Sequence, residues 1–320
     1  MSSYRKVNYS LRPAKHAQRR MMAELLSCLY PFRPVRNYRY VGFGSLWFED
    51  FKLFHRILGY RDMISIERSG ATERFEANRP YQAVRILFGD SNAKLQEIPW
   101  DIPSVLWLDY DSAISTSSLL DIRTVAGSMV SGSVIAVTLN VEEADELVDA
   151  KSKGEEPATA LELFRSRFGE FVRGSIFSDD LIGRPFRALC REVLASQLES
   201  VLATRNVGVA DEEQLSGQLV CQFNYADGHS MSTFVFVLFK NADAERFNSC
   251  DFSSLDFLAG IGDSVDIQMP VMTLKEIRQV ESQLPSDDLT QIVTSGVPPG
   301  DVQKFSRIYR YLPNFAVLES

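Results

Sequence analysis

No run of residues in this 320-residue chain stays apolar for the roughly 20 positions that a membrane-crossing helix needs. Cysteine is scarce too. The four present, Cys28, Cys190, Cys221 and Cys250, stand far apart with no C-x-x-C pair, so neither a disulfide framework nor a zinc site is expected. His16, His55 and His229 are the only histidines, and none sits at metal-ligand spacing. The nucleoside-triphosphate loop G-x-x-x-x-G-K-[S/T] is missing, and no internal repeat or low-complexity tract is present. What is left is a globular composition, 45% hydrophobic and 24% charged, which predicts a soluble cytoplasmic protein with reduced thiols and no membrane partner. The length allows one α/β domain with additions, or two small domains.

Acidic residues are nearly absent from one place. Residues 1–40 hold nine Lys/Arg, Arg5, Lys6, Arg12, Lys15, Arg19, Arg20, Arg33, Arg36 and Arg39, against Glu24 alone, a net +8 that leaves −16 on the remainder. An organelle-targeting segment is disfavoured, because Met21–Leu26 continues as an amphipathic helix with no small-residue cleavage site. Two readings stay open: a basic leader that binds nucleic acid through its phosphates, or a solvated helix face that pairs with the acidic body.

From about residue 38, short β-prone runs alternate with helical stripes, the pattern of a parallel sheet flanked by helices. Strands are expected at 38–42, 63–67, 84–88, 104–109 and 133–139, with helices at 46–58, 72–78 and 117–129 between them. Gly59 should end the first of these helices, and Pro80 should stop the second. The acidic stretch 142–156 reads as a loop or exposed helix, and amphipathic helices follow near 158–172 and 186–204. The runs 220–225 and 231–239 flank Ala226-Asp227-Gly228-His229, a strong hairpin signal. Residues 241–320 show few strands and one clear helix, 274–284.

Residues 40–51 read Y-V-G-F-G-S-L-W-F-E-D-F, with a glycine pair directly after the first strand. A dinucleotide fingerprint needs a third glycine where Trp47 stands, so nicotinamide and flavin dinucleotides are disfavoured. S-adenosylmethionine has no pyrophosphate and asks only for a tight turn plus an acid at the end of the second strand for its ribose. Glu67 stands there, and Gly89-Asp90-Ser91 after the third strand would lie beside the adenine. The fourth strand ends in Asp109-Tyr110-Asp111, where a methyl acceptor would sit. Each feature also has a plain alternative, as a tight turn, a surface acid or a helix cap; three successive strand ends carrying them together favour a ligand crevice.

These residues resemble class I S-adenosylmethionine-dependent methyltransferases, and more narrowly the O-methyltransferases inferred in bacterial genomes with an N-Y-S-L-R-P-A-K leader, here Asn8–Lys15, and a G-F-G-S turn, here Gly42–Ser45. The resemblance implies a Rossmann-like α/β sheet of order 3-2-1-4-5-7-6, its parallel strands followed by a terminal antiparallel hairpin. It divides the chain into a basic leader and helix (1–37), a methyltransferase domain (38–240) with a helical insertion at about 141–187, and a small C-terminal appendage (241–320). For the cofactor it implies Gly42, Phe43, Gly44, Ser45, Glu67, Arg68, Gly89, Asp90, Ser91 and Asp109. Two departures from the family turn stand out, Tyr40 in place of an acid and Leu46 in place of a third glycine; Glu49 or Asp50 could take over the acid's work.

A hydroxyl acceptor must lose a proton, so Asp109, Asp111 and Tyr110 are the catalytic candidates. Arg12, Lys15 and His16 of the leader are candidates for holding the acceptor. Asn140 could join the two aspartates around Mg²⁺, but such residues are common at strand ends and no metal ligand set is assigned. Two other classes remain: an inactive methyltransferase-like binding or scaffold protein, favoured by the missing acid at 40, and a nucleic-acid methyltransferase using the basic leader, disfavoured by the lack of an N-P-P-Y signature.

Overall fold

The computed structural model describes residues 12–68 and 70–312. Its opening helix α1 (Pro13–Ser27) has proline in its first turn, where no intrahelical N–H is needed. Five strands joined by four helices follow: β1 (Arg39–Gly42), α2 (Glu49–Leu58), β2 (Asp62–Glu67), α3 (Thr72–Ala77), β3 (Val84–Phe88), α4 (Ser91–Lys94), β4 (Ser104–Asp109), α5 (Thr116–Ala126) and β5 (Val134–Asn140). Helices α6 (Asp145–Lys153), α7 (Pro157–Phe168) and α8 (Gly183–Arg205) then lead into the hairpin β6 (Leu215–Ala226) and β7 (Ser230–Lys240). The described chain closes with α9 (Ala244–Ser249), β8 (Ser264–Ile267), α10 (Leu274–Glu281) and α11 (Pro299–Ile308).

Among the described residues the strands form one sheet of order β3-β2-β1-β4-β5-β7-β6-β8. The first five are parallel, β7 runs antiparallel to β5 and β6, and the order reverses between β1 and β4, the expected methyltransferase arrangement. Strand β8 adds an eighth member, parallel to β6, from residues beyond the hairpin. Side chains alternate between two buried layers, as the pleat dictates. Tyr40, Val105 and Trp107 join α1, α2 and the segment after β7 on one side, while Val41, Leu106 and Leu108 join α5, α6, α7 and α8 on the other.

Local departures have physical causes. Helix α2 starts three residues later than its apolar stripe suggests, because Ser45 and Phe48 both take left-handed backbone and keep Leu46 and Trp47 in a loop. Gly59, with φ +73, ends α2 as expected. The acidic stretch after β5 does become a helix, and its Glu146 is buried against Arg167 at 2.7 Å.

Helix α1 is not a solvated arm. Lys15, Gln18 and Arg19 are buried together with Ala14, Ala17, Met21 and Met22. Its N-terminus is held from the β6–β7 turn, where Asp227 accepts the Lys15 backbone N–H at 2.9 Å. Gln18 donates to Thr233 of β7 at 2.6 Å. Near the other end, Glu24 accepts the Tyr311 hydroxyl at 2.6 Å. Asn8 to Leu11 of the leader, and Arg5 and Lys6, lie outside the described residues. No described helix is long and apolar enough to cross a membrane.

Since Asp227 caps α1 from 212 residues away, Asp227→Ala is expected to lower the unfolding free energy by about 0.5–2 kcal/mol in urea titration. An unchanged midpoint would show that the cap contributes nothing.

Candidate active site

The turns leaving β1, β2, β3 and β4 open into one cavity of about 600 Å³ at the point where the strand order reverses. From the first turn Phe43, Gly44 and Ser45 line it, from the second Glu67 and Arg68, from the third Gly89, Asp90 and Ser91, and from the fourth Asp109, Tyr110 and Asp111. Trp47, 36% exposed, is not among the lining residues and so does not plug the space.

The first two turns are locked together. A Cβ on Gly44 would collide with the Phe48 ring and lie 2.7 Å from Ser65 Oγ, so only glycine fits. The Gly44 N–H donates to Ser65 Oγ at 3.0 Å, and the Ser65 hydroxyl donates to Glu67 Oε1 at 2.7 Å. Glu67 is 7% exposed. Burial pushes its carboxyl up to about 7, against the opposing pull of Ser65 and the Gly44 and Ser45 N–H groups. Gly42, in contrast, does not line the cavity: a Cβ there would meet the Tyr40 hydroxyl at 2.8 Å, so this glycine makes room for a core ring.

The third and fourth turns share an anchor. Asp121 of α5, fully buried, accepts from the Ser91 hydroxyl at 2.6 Å, the Tyr110 hydroxyl at 2.6 Å and the Asn92 amide. Burial and the Asp121 charge push the Tyr110 phenol well up, so it stays protonated. Its ring stands edge-on to Phe43, 5.5 Å between centroids. Gly89 has φ +148, a conformation that suits glycine. Arg68 and Asp90 pair at 2.9 Å across the exposed mouth, where water screening leaves such a contact little energy.

Helix α1 supplies charge from below. Lys15 Nζ lies 2.6 Å from Asp109 Oδ1, donates to the Tyr225 hydroxyl at 2.9 Å and sits 4.7 Å over the Trp107 ring. Burial pushes Asp109 up, but the Lys15 ammonium, the Arg19 charge and the Thr138 hydroxyl together hold the carboxyl below its usual range. Lys15 is thus turned inward as the partner of Asp109, and neither it, Arg12 nor His16 lines the cavity. Burial and the cations of Arg20 and Arg19 hold the His16 imidazole low.

Position 40 resolves differently from the family turn. The Tyr40 hydroxyl donates to the carboxylate of Asp50 in the first turn of α2, and Asp50, 8% exposed, lines the cavity. Burial raises the Asp50 carboxyl, while Arg19 and the Tyr40 hydroxyl pull it back. Glu49 instead pairs with Lys52 at 2.9 Å. Arg19 itself lines the cavity and was not singled out as a site residue from the sequence; its spacing of four from Lys15 places both on one helix face, and that was the available signal. Asn140 accepts the Glu142 N–H at 2.9 Å and closes a turn rather than lining the cavity. No group of three His, Cys, Asp or Glu among the described residues is placed to hold a metal ion.

Glu67 carries a pH signature. Its folded pKa of about 7 lies above the usual 4.5, so native stability falls as pH rises between those values and is constant above them. Glu67→Gln is therefore expected to be more stable than the native sequence at around pH 8, with the difference shrinking as pH drops below 7 and vanishing near 4.5, read by urea unfolding at each pH. A difference independent of pH would remove the buried-carboxyl explanation.

Residues 7–320 match the profile of a family described as "Putative O-methyltransferase". Among solved structures, LepI in complex with SAM is 13% identical over 63% of this chain and 43% of its own, with a TM-score of 0.33. Trm1 from Pyrococcus horikoshii with S-adenosyl-L-methionine is 13% identical over 74% of this chain and 58% of its own, TM-score 0.40. The SAM-bound amino pentose methyltransferase CalS10 from Micromonospora echinaspora is 11% identical over 42% and 52%, TM-score 0.30. The alignment to LepI thus spans less than half of that protein's length. No curated protein gave a significant match.

Proposed function

The chain belongs to that family, and from this premise we propose that it is a methyltransferase that transfers the methyl group of S-adenosylmethionine to an oxygen acceptor in the cavity at the ends of β1–β4. One observation carries the reading: Gly44, Glu67 and Asp90, on three successive strand ends, line a single cavity together with the β4 acids.

The residues present fit the cofactor. Glu67, braced by Ser65 and the Gly44 turn, would take the ribose hydroxyls. Asp90 and Ser91 would face the adenine edge, with Ile66 and the Phe43 ring as apolar surface. Asp50, delivered by Tyr40, would take the ammonium that an acid at position 40 serves in the family turn. Bound there, S-adenosylmethionine supplies a methyl group on an electrophilic sulfonium carbon.

This chain's side chains then align the acceptor and deal with its proton. Asp109, kept ionised by Lys15, is a weak base and a strong electrostatic fixture. Tyr110 donates its hydroxyl proton to Asp121 and shapes the wall. Asp111 lines the same cavity beside them and is the carboxylate we assign to accepting the proton of the acceptor hydroxyl. The buried face of α1 keeps water from the floor.

Calorimetric titration with S-adenosylmethionine tests the cofactor: saturable binding is expected, and its absence ends the proposal. Glu67→Ala should weaken that binding by one to two orders of magnitude, on the order of 1.5–3 kcal/mol for hydrogen bonds to a charged group. An unchanged dissociation constant would take Glu67 out of the site. Asp111→Asn should leave cofactor affinity intact yet slow label transfer from tritiated cofactor to a hydroxyl acceptor by about a hundredfold or more.

A further inference from the structure

We propose that Arg19 binds the carboxylate of the cofactor's amino-acid end, so that the ligand is gripped from helix α1 as well as from the strand-end turns. The inference rests on the cofactor reading above and deepens it.

Arg19 is 7% exposed, and it lines the cavity. Its Nε is buried without a hydrogen-bond partner among the described residues. A guanidinium brought out of water with its donors unmet is costly, and chains tolerate that cost where an anion arrives to meet it. The acids nearest in charge do not meet it. Asp109 is taken by Lys15 at 2.6 Å, and Asp50 by the Tyr40 hydroxyl. Arg19 acts on both through its field, drawing each carboxyl down, without bonding to either.

What arrives must be an anion with geometry for a planar fork of N–H groups, and a carboxylate is that shape. The neighbourhood narrows it further. A cation with open donors beside the carboxylate of Asp50 presents opposite charges side by side, the complement of an α-amino-acid zwitterion: carboxylate toward Arg19, ammonium toward Asp50. A free acceptor anion would not need the second partner.

The competing account makes Arg19 a structural counter-charge for Asp50 and Asp109. The two accounts predict different effects on ligand preference. If Arg19 is structural alone, Arg19→Met loses stability and leaves the ligand preference as it was; if Arg19 grips the carboxylate, that preference goes, whatever stability its field on Asp50 and Asp109 contributed. Full-length native protein, Arg19→Met and Arg19→Lys should be titrated with S-adenosylmethionine, decarboxylated S-adenosylmethionine and 5′-methylthioadenosine, with urea unfolding of each empty protein alongside.

The native protein should prefer S-adenosylmethionine over its decarboxylated form by about ten- to a hundredfold. Arg19→Met should bring the two within about threefold by weakening the first alone, with 5′-methylthioadenosine unaffected, and Arg19→Lys should fall between. Equal weakening of all three ligands or retention of the native preference would each overturn the assignment. Native protein that binds S-adenosylmethionine but does not distinguish it from the decarboxylated form overturns this proposal alone. Native protein that binds none of the three overturns the cofactor reading as well.

Discussion

One ion pair organises the crevice. Lys15 of α1, 2% exposed, meets Asp109 at the last residue of β4, and through it the first helix is fastened to the centre of the sheet. An ammonium removed from water is held only if its remaining hydrogen-bonding capacity is met, and Tyr225 and the Trp107 face supply that for Lys15. The pair fixes the protonation state of Asp109 and the position of the helix face that carries Arg19. Removing Asp109 would leave the Lys15 charge alone in the interior, so the floor of the cavity and the docking of α1 are one problem.

The walls are built on the same plan, with carboxylates immobilised by short-range donors before any ligand enters. Glu67 is held by a serine two residues back and by the glycine turn opposite. Asp121 gathers three donors from two different loops and so couples the third turn to the fourth. Asp50 is aimed by Tyr40. Such prior ordering lowers the entropy that binding must overcome, and it places polar groups where a largely apolar sheet could not otherwise keep them.

Much of this was readable from the chain alone, for reasons that differ by element. Strands β1 to β5 and the β6–β7 hairpin announce themselves through short apolar runs and an Asp-Gly turn, and Glu67 and Asp90 follow from where those runs stop. The inward turn of Lys15 and Arg19 was hidden, because charged residues on a helix ordinarily face water and the partners of Lys15 lie 94 and 210 residues away. The role of Tyr40 was hidden as well: a side-chain contact between a strand and the next helix has no periodic signature. Left-handed Ser45 and Phe48 concealed where α2 begins, since neither residue type favours that backbone. Strand β8, in which only Val265 and Ile267 are apolar, carries no apolar run of its own.

The bracing of α1 has a consequence for how the protein comes into being. The helix leaves the ribosome early, yet the residues that seat it, Asp227, Thr233 and Tyr311, are translated hundreds of residues later. Through most of elongation its apolar and cationic inner face therefore has nowhere to dock. The floor of the crevice forms only after residues 227–311 are there to seat the helix.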